Sequence, residues 1–335
     1  MAFVLLVVII WQYINKISIH KHNVLKSLYK YYLWGVFTMN KFEMKNVIEN
    51  TGNEVKKAVS KGKDIVFDSK DKVFDALDIN KDGRVDTEDI IILGLRIPGV
   101  HIDREEFLRK QFMKNYANDV IQDAVKFNPA HAGITVEEID NIADQVIQYE
   151  RNCVSGISLA LGAPGGVAMV ATLPADIAQY YGYMLRAIQK LLYLYGFPEI
   201  NVENGVNIDD ETMNLITLCL GVMYGVEGSV ASIKILSNAL GKGVEKKLLQ
   251  KALTKGTFYP IVKKISRWFS VCMTKQVFAG FFRKAIPVVG GVVGGGITYL
   301  SFKPCCDNLK KSLQDTALCN PSSKKSFDEF DVIDA

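Results

Sequence analysis

Residues 135–175 read TVEEIDNIADQVIQYERNCVSGISLALGAPGGVAMVATLPA, and this stretch decides the fold class. Thr135 with Glu138 three residues later is a capping box, in which each side chain bonds the other residue's backbone N–H and opens a helix. Ile139, Ile142, Ala143, Val146 and Ile147 then recur at three- and four-residue steps, which lines up one apolar helical face. Pro129 and Gly133 punctuate the turn before it. From 152 to 175 no charge occurs over 24 positions, and Pro164-Gly165-Gly166 divides that run near its middle. Proline removes a helical donor and crowds the preceding turn. The run therefore predicts two half-length arms, a Gly-rich apolar hairpin rather than one straight span.

Working outward, two further segments lack charge: 212–226 over 15 positions and 285–302 (AIPVVGGVVGGGITYLSF) over 18. In the second, Gly290/Gly294 and Gly291/Gly295 are small residues one turn apart, a spacing that lets helices approach closely in membranes and in soluble bundles alike. Pro287 and the run Gly294–Gly296 lower helix propensity, so this segment reads as a broken or a tightly packed helix. Residues 234–284 hold twelve Lys/Arg against the single Glu245. Within them Leu236, Leu240, Val244, Leu248 and Ala252 step by four, which marks an amphipathic helix with a cationic face. From 39 to about 77, apolar positions recur among lysines and acids in a helical pattern. No strand-period alternation of any length occurs. The class is all-α, a multi-helix bundle.

Composition agrees. The chain has 335 residues, 49% hydrophobic and 23% charged, enough to bury a core and too apolar to be disordered. Its mean hydropathy is +0.11. The formal charge of +4 equals the four lysines of residues 1–38 (Lys16, Lys21, Lys26, Lys30), a segment without acids. The rest balances, which argues against a nucleic-acid-binding domain. Residues 66–150 are acidic, with eighteen acids against ten bases. Six cysteines without a Cys-x-x-Cys pair make neither a disulfide framework nor a zinc site. Four histidines leave little room for His-dependent catalysis.

Residues 1–38 form an apolar and basic leader. The run AFVLLVVIIWQYI at 2–14 is short against the ~20 residues of a spanning helix. Two readings fit it: a membrane anchor, or an over-extended start upstream of Met39. The carboxyl end, 319–335, is an acidic tail.

One motif carries specific chemistry. In Asp78-Ile-Asn80-Lys-Asp82-Gly83-Arg84-Val-Asp86-Thr-Glu-Asp89, oxygen-bearing side chains stand at loop positions 1, 3 and 5 (Asp78, Asn80, Asp82), with glycine at 6. Arg84 at position 7 offers its backbone carbonyl, Asp86 at 9 acts directly or through water, and Asp89 at 12 closes the shell. This is the spacing of an EF-hand, and it predicts a Ca²⁺ site. Asp89 is shorter than the usual Glu, so Mg²⁺ discrimination is expected to be weaker. The competing reading is an acidic surface turn with a helix N-cap. Asp at position 12 resembles dockerin-type loops, although no second repeat is present.

Residues 161–198 (LGAPGGVAMVATLPADIAQYYGYMLRAIQKLLYLYGFP) and 285–299 (AIPVVGGVVGGGITY) resemble the core of the bacterial EcsC family. The likeness spans roughly 100–315. It implies a helical bacterial protein, encoded in some genomes beside ABC-transporter components. That family has no assigned catalytic set, so no catalytic residue is carried over. On this reading 39–100 is an EF-hand module, 101–318 an EcsC-like helical domain and 319–335 the tail.

Asp176, Gln179, Tyr183, Arg186 and Lys190 follow one another at helical steps, either a polar seam lining a cavity or a structural seam satisfied by neighbouring helices. The expected function is a calcium-binding, non-enzymatic protein at the cytoplasmic face of the bacterial membrane, peripheral or re-entrant. Its expected partners are anionic lipid and a transporter component. An enzyme acting on a lipid or small molecule, and a soluble interaction module, are the alternatives.

Overall fold

The computed structural model describes residues 75–162, 166–200, 208–241, 253–256, 258–272 and 290–319. Among these residues no strand occurs and the regular elements are helical. They are α1 (Thr87–Leu95), α2 (Arg104–Phe112), α3 (Asn118–Lys126), α4 (Val136–Gly162), α5 (Gly166–Leu194), α6 (Asp210–Met223), α7 (Ser229–Gly241), α8 (Tyr259–Cys272) and α9 (Gly290–Gln314), then a 3₁₀ turn at Ala317–Cys319. The leader, the stretch 39–74, Pro164 and Gly165, the positions Val244, Leu248 and Ala252, Pro287, and the tail from 320 onward lie outside the described residues.

Helix starts follow local chemistry. Thr135 and Glu138 bond reciprocally ahead of α4, each backbone N–H donating at 3.3 Å to the other's side chain. Asp103 caps α2 by accepting from the Glu106 N–H, and Asp209 caps α6 by accepting from the Thr212 N–H. Gly196, at φ +92°, lets the chain leave α5 while the Phe197 N–H reaches back to the Leu192 carbonyl.

The uncharged run is divided between α4, which ends at Gly162, and α5, which begins at Gly166, but its arms are not separate half-length helices. α4 has 27 residues and α5 has 29, and the apolar runs are ends of longer amphipathic helices. Apolar periodicity continues on both sides of 152–175, so burial of a long face sustains the helix. α5 even runs through Pro174, which removes one hydrogen bond without ending it. α9 likewise runs through Gly294–Gly296 and Pro304.

Two compact units form, each from separated stretches. One comprises the described residues within 75–94, 149–183 and 269–303. In it α4 and α9 approach at Gly295, where a Cβ would stand 3.1 Å from the Ser155 carbonyl oxygen and from Leu159 Cβ. Tyr180 packs edge-on against Phe302, centroids 5.9 Å apart. Leu77, Val85, Ile90 and Ile91 are buried around the 78–89 loop.

The other unit comprises the described residues within 95–148, 184–268 and 304–319. Ile139, Ala143 and Ile147 of α4 and Leu191, Tyr193 and Tyr195 at the end of α5 are fully or almost fully buried here. Arg104 is buried too. Its guanidinium donates to the carbonyls of Phe197 at 3.2 Å, Val125 at 2.6 Å and Phe127 at 3.0 Å. Burial lowers its pKa, and the nearby Glu199 charge opposes that fall.

Candidate functional site

The loop 78–89 is built from side-chain-to-backbone bonds. Asp78 Oδ2 accepts from the Gly83 N–H at 2.9 Å, Asn80 Oδ1 from Asp82 at 3.1 Å, and Asp82 Oδ1 from Arg84 at 2.9 Å. Asp86 Oδ1 accepts from Glu88 at 2.8 Å, at the start of α1. The side chains at positions 1, 3, 5 and 9 thus fold the backbone back on itself, the behaviour that makes Asp and Asn turn formers. Lys81 and Gly83 hold positive φ of 58° and 83°, and only Gly83 adopts such a conformation at no steric cost.

Asp89 closes the loop, and it does so through backbone groups. Its Oδ1 accepts from Ile79 at 2.8 Å and Asn80 at 3.3 Å, and its Oδ2 from Asp86 at 3.0 Å. The side chain is fully buried. Asp86 is also the N-cap of α1: its carboxylate accepts from the Glu88 N–H, its carbonyl takes the first helical bond from Ile90, and its own N–H is taken by Asp89. Asp89 therefore joins the first residues of the loop to the exit helix, a role its spacing alone did not reveal.

Two observations bear on a cation. Asp78 is 8% exposed, and its Oδ1 is buried without a hydrogen-bond partner. An unpartnered buried carboxylate oxygen is costly unless something positive meets it. Asp86 has its pKa raised, first by burial and further by the Asp82 charge, while bonds from Glu88 and Asp89 backbone oppose the rise. Burial also raises Asp89, against the three backbone bonds it accepts. Hard cations take many oxygens at about 2.3–2.6 Å. Asp78 Oδ1, Asn80, the second oxygens of Asp82 and Asp86, and the Arg84 carbonyl are the groups that suit one, and the donor set fits. Among the described residues no group of three or more His, Cys, Asp or Glu already converges on a common point. Ligation thus requires these oxygens to draw inward.

The polar residues of α5 go to different partners. Asp176 accepts from the Ser158 hydroxyl at 2.6 Å, and Ser158 in turn accepts from Thr298 at 3.0 Å. Although its side chain is partly exposed, its carboxyl lies deep enough for burial to raise its pKa against the Ser158 bond. Arg186 donates to the Gly99 carbonyl, and Lys190 lies 5.8 Å from the Phe107 ring centroid. Gln189, buried between them, was not singled out by spacing. It donates to the Val100 carbonyl at 2.8 Å and accepts from Ile102 at 3.0 Å. Arg186 and Gln189 pin residues 99–102 to the helix, which is a structural task.

A second network joins Asp140, whose oxygens accept from the Tyr195 hydroxyl and the Gln314 amide; Lys310 pairs with Asp144 at 2.7 Å. All six cysteines are buried thiols outside any disulfide. Burial, and then the Asp140 charge, push the Cys319 thiol up to about 12. A thiol held protonated is a poor nucleophile.

No helix among the described residues is long and apolar enough to cross a membrane. The chain matches no protein-family model, and no curated protein or solved structure is detectably similar to it.

Proposed function

We propose that the chain is a calcium-binding, non-enzymatic helical protein of EcsC-like character that works at the anionic inner surface of the bacterial membrane, beside a transporter component. The observation that carries the calcium reading is Asp78 Oδ1, buried and unpartnered inside a loop whose backbone already turns at the ligand positions. Asp78, Asn80, Asp82, the Arg84 carbonyl and Asp86 supply the oxygens, and Asp89 closes the shell by exchanging its backbone N–H donors for the ion. The EcsC-like character rests on the quoted residues of 161–198 and 285–299. The membrane reading rests on three uncharged segments and the basic stretch 234–284.

Calorimetry of the full chain with CaCl₂ tests the ion. One-site binding is expected, with heat lost in the Asp78→Ala/Asp82→Ala variant. Equal heats from wild type and variant would sink the assignment. Mg²⁺ is expected to compete measurably, because the closing carboxylate is the shorter Asp89.

A further inference from the structure

The basic stretch 234–284 includes one described helix whose orientation can be read residue by residue, α8 (YPIVKKISRWFSVC). Among the described helices it alone combines three basic residues with no acid. Its apolar face is anchored. Val262 and Ile265 are buried, Ile265 against Gly221 of α6, where an added Cβ would come within 2.5 Å of its side chain. Ile261 meets Gly228 in the same manner. With that face held, the opposite one points outward and carries Tyr259, Lys263, Lys264 and Arg267, all exposed.

These groups differ in how far they are already satisfied. Lys264 pairs with Glu227 at 3.0 Å. Lys263 sits 4.7 Å above the Tyr259 ring, and Arg267 makes no ion pair among the described residues. Two cations are thus left facing solvent one helical turn apart, next to an aromatic side chain with an apolar body and a polar tip. That combination suits a lipid headgroup layer: fixed positive charge over anionic phosphates, and tyrosine at the interface between them and the acyl chains.

We propose that the outer face of α8, centred on Lys263 and Arg267, docks on a bilayer rich in anionic phospholipid. This rests on the membrane reading above and adds which face makes the contact. Orientation of the molecule on the bilayer then follows from α8 rather than from the uncharged segments.

Flotation of the full chain with vesicles rich in phosphatidylglycerol, against pure phosphatidylcholine, tests it. Wild type should float with the anionic vesicles only, and less at high salt. Lys263→Gln/Arg267→Gln should weaken partitioning on the order of 30-fold, at roughly tenfold per 1.4 kcal/mol and ~1 kcal/mol per basic residue. The charge-conserving Lys263→Arg/Arg267→Lys should float like wild type. Both pairs are exposed, so matched circular dichroism is expected and serves as the folding control. Failure of wild type to float on any vesicle overturns the membrane reading itself. Flotation of the Gln variant equal to wild type leaves that reading standing and overturns the assignment to α8. Retention of wild type on RNA instead of vesicles would overturn both.

Discussion

Gly295 and Gly296 are neighbours in α9, chemically identical and equally helical, yet replacement by alanine should move stability in opposite directions. In a helix interior Gly→Ala gains ~1 kcal/mol, largely by restricting the unfolded chain. At Gly296 nothing lies within 4 Å of the added Cβ, so the gain is realised in full. At Gly295 the Cβ meets the Ser155 carbonyl oxygen and Leu159 Cβ at 3.1 Å and Leu159 Cα at 3.4 Å. Ordinary carbon contacts sit at about 3.5–4.0 Å, so the fit is short by a few tenths of an ångström. The opposing atoms are backbone or Cβ of α4 and have no rotamer by which to retreat. Overpacking of this kind costs ~1–3 kcal/mol. After the propensity gain, Gly295→Ala should lose about 1 kcal/mol, leaving the two variants about 2 kcal/mol apart. Thermal unfolding followed by circular dichroism should separate their midpoints by roughly 3 °C, at about 1.4 °C per kcal/mol for 335 residues and ~2.1 cal/mol/K of unfolding entropy per residue. If Gly295→Ala raises the midpoint as much as Gly296→Ala does, the close approach of α4 and α9 is no constraint and the packing argument fails.

Asp176→Asn should stabilise the protein near neutral pH. Burial raises the Asp176 pKa, so the folded state holds that proton more tightly than the unfolded chain; stability is highest below the ordinary Asp value and falls as pH rises through the raised one. Urea unfolding at about pH 4 and about pH 7 reads the slope, which the Asn variant should flatten; a variant less stable than wild type at the higher pH would contradict this. Arg104→Lys should cost about 3 kcal/mol, because one ammonium cannot reach the Phe197, Val125 and Phe127 carbonyls together. A midpoint within measurement scatter of wild type would show those carbonyls to be satisfied otherwise. Gly221→Ala should destabilise more than Gly295→Ala, since its Cβ falls 2.5 Å from both Ile265 Cδ1 and Ser229 Oγ; the reverse order in the same thermal series would refute the ranking.

The turn-forming loop 78–89 was legible because its Asp and Asn side chains lie within twelve consecutive residues, where local spacing carries the geometry. What the spacing missed is that Asp89 is tied to three backbone N–H groups and that one oxygen of Asp78 is buried alone. Both depend on how the loop closes against α1. The seam on α5 was visible as a periodicity, but its roles were not. Arg186 and Gln189 find partners 87 to 89 residues away, and Arg104 finds carbonyls 21, 23 and 93 residues away.

By itself the sequence determined the helical class, the capping box at Thr135 and Glu138, and the apolar face Ile139–Ile147, since each rests on side chains three or four residues apart. It divided the uncharged run at Pro164-Gly165-Gly166, where one helix ends at Gly162 and the next begins at Gly166. It read the arms on either side as half-length, because the uncharged run alone sets their length. Tertiary structure decided otherwise: the faces buried along α4, α5 and α9 sustain helices of 27, 29 and 25 residues through local penalties of a few kcal/mol. It also decided which glycine is tightly packed and which is open. Propensity is identical at Gly295 and Gly296, and only the helix lying opposite distinguishes them.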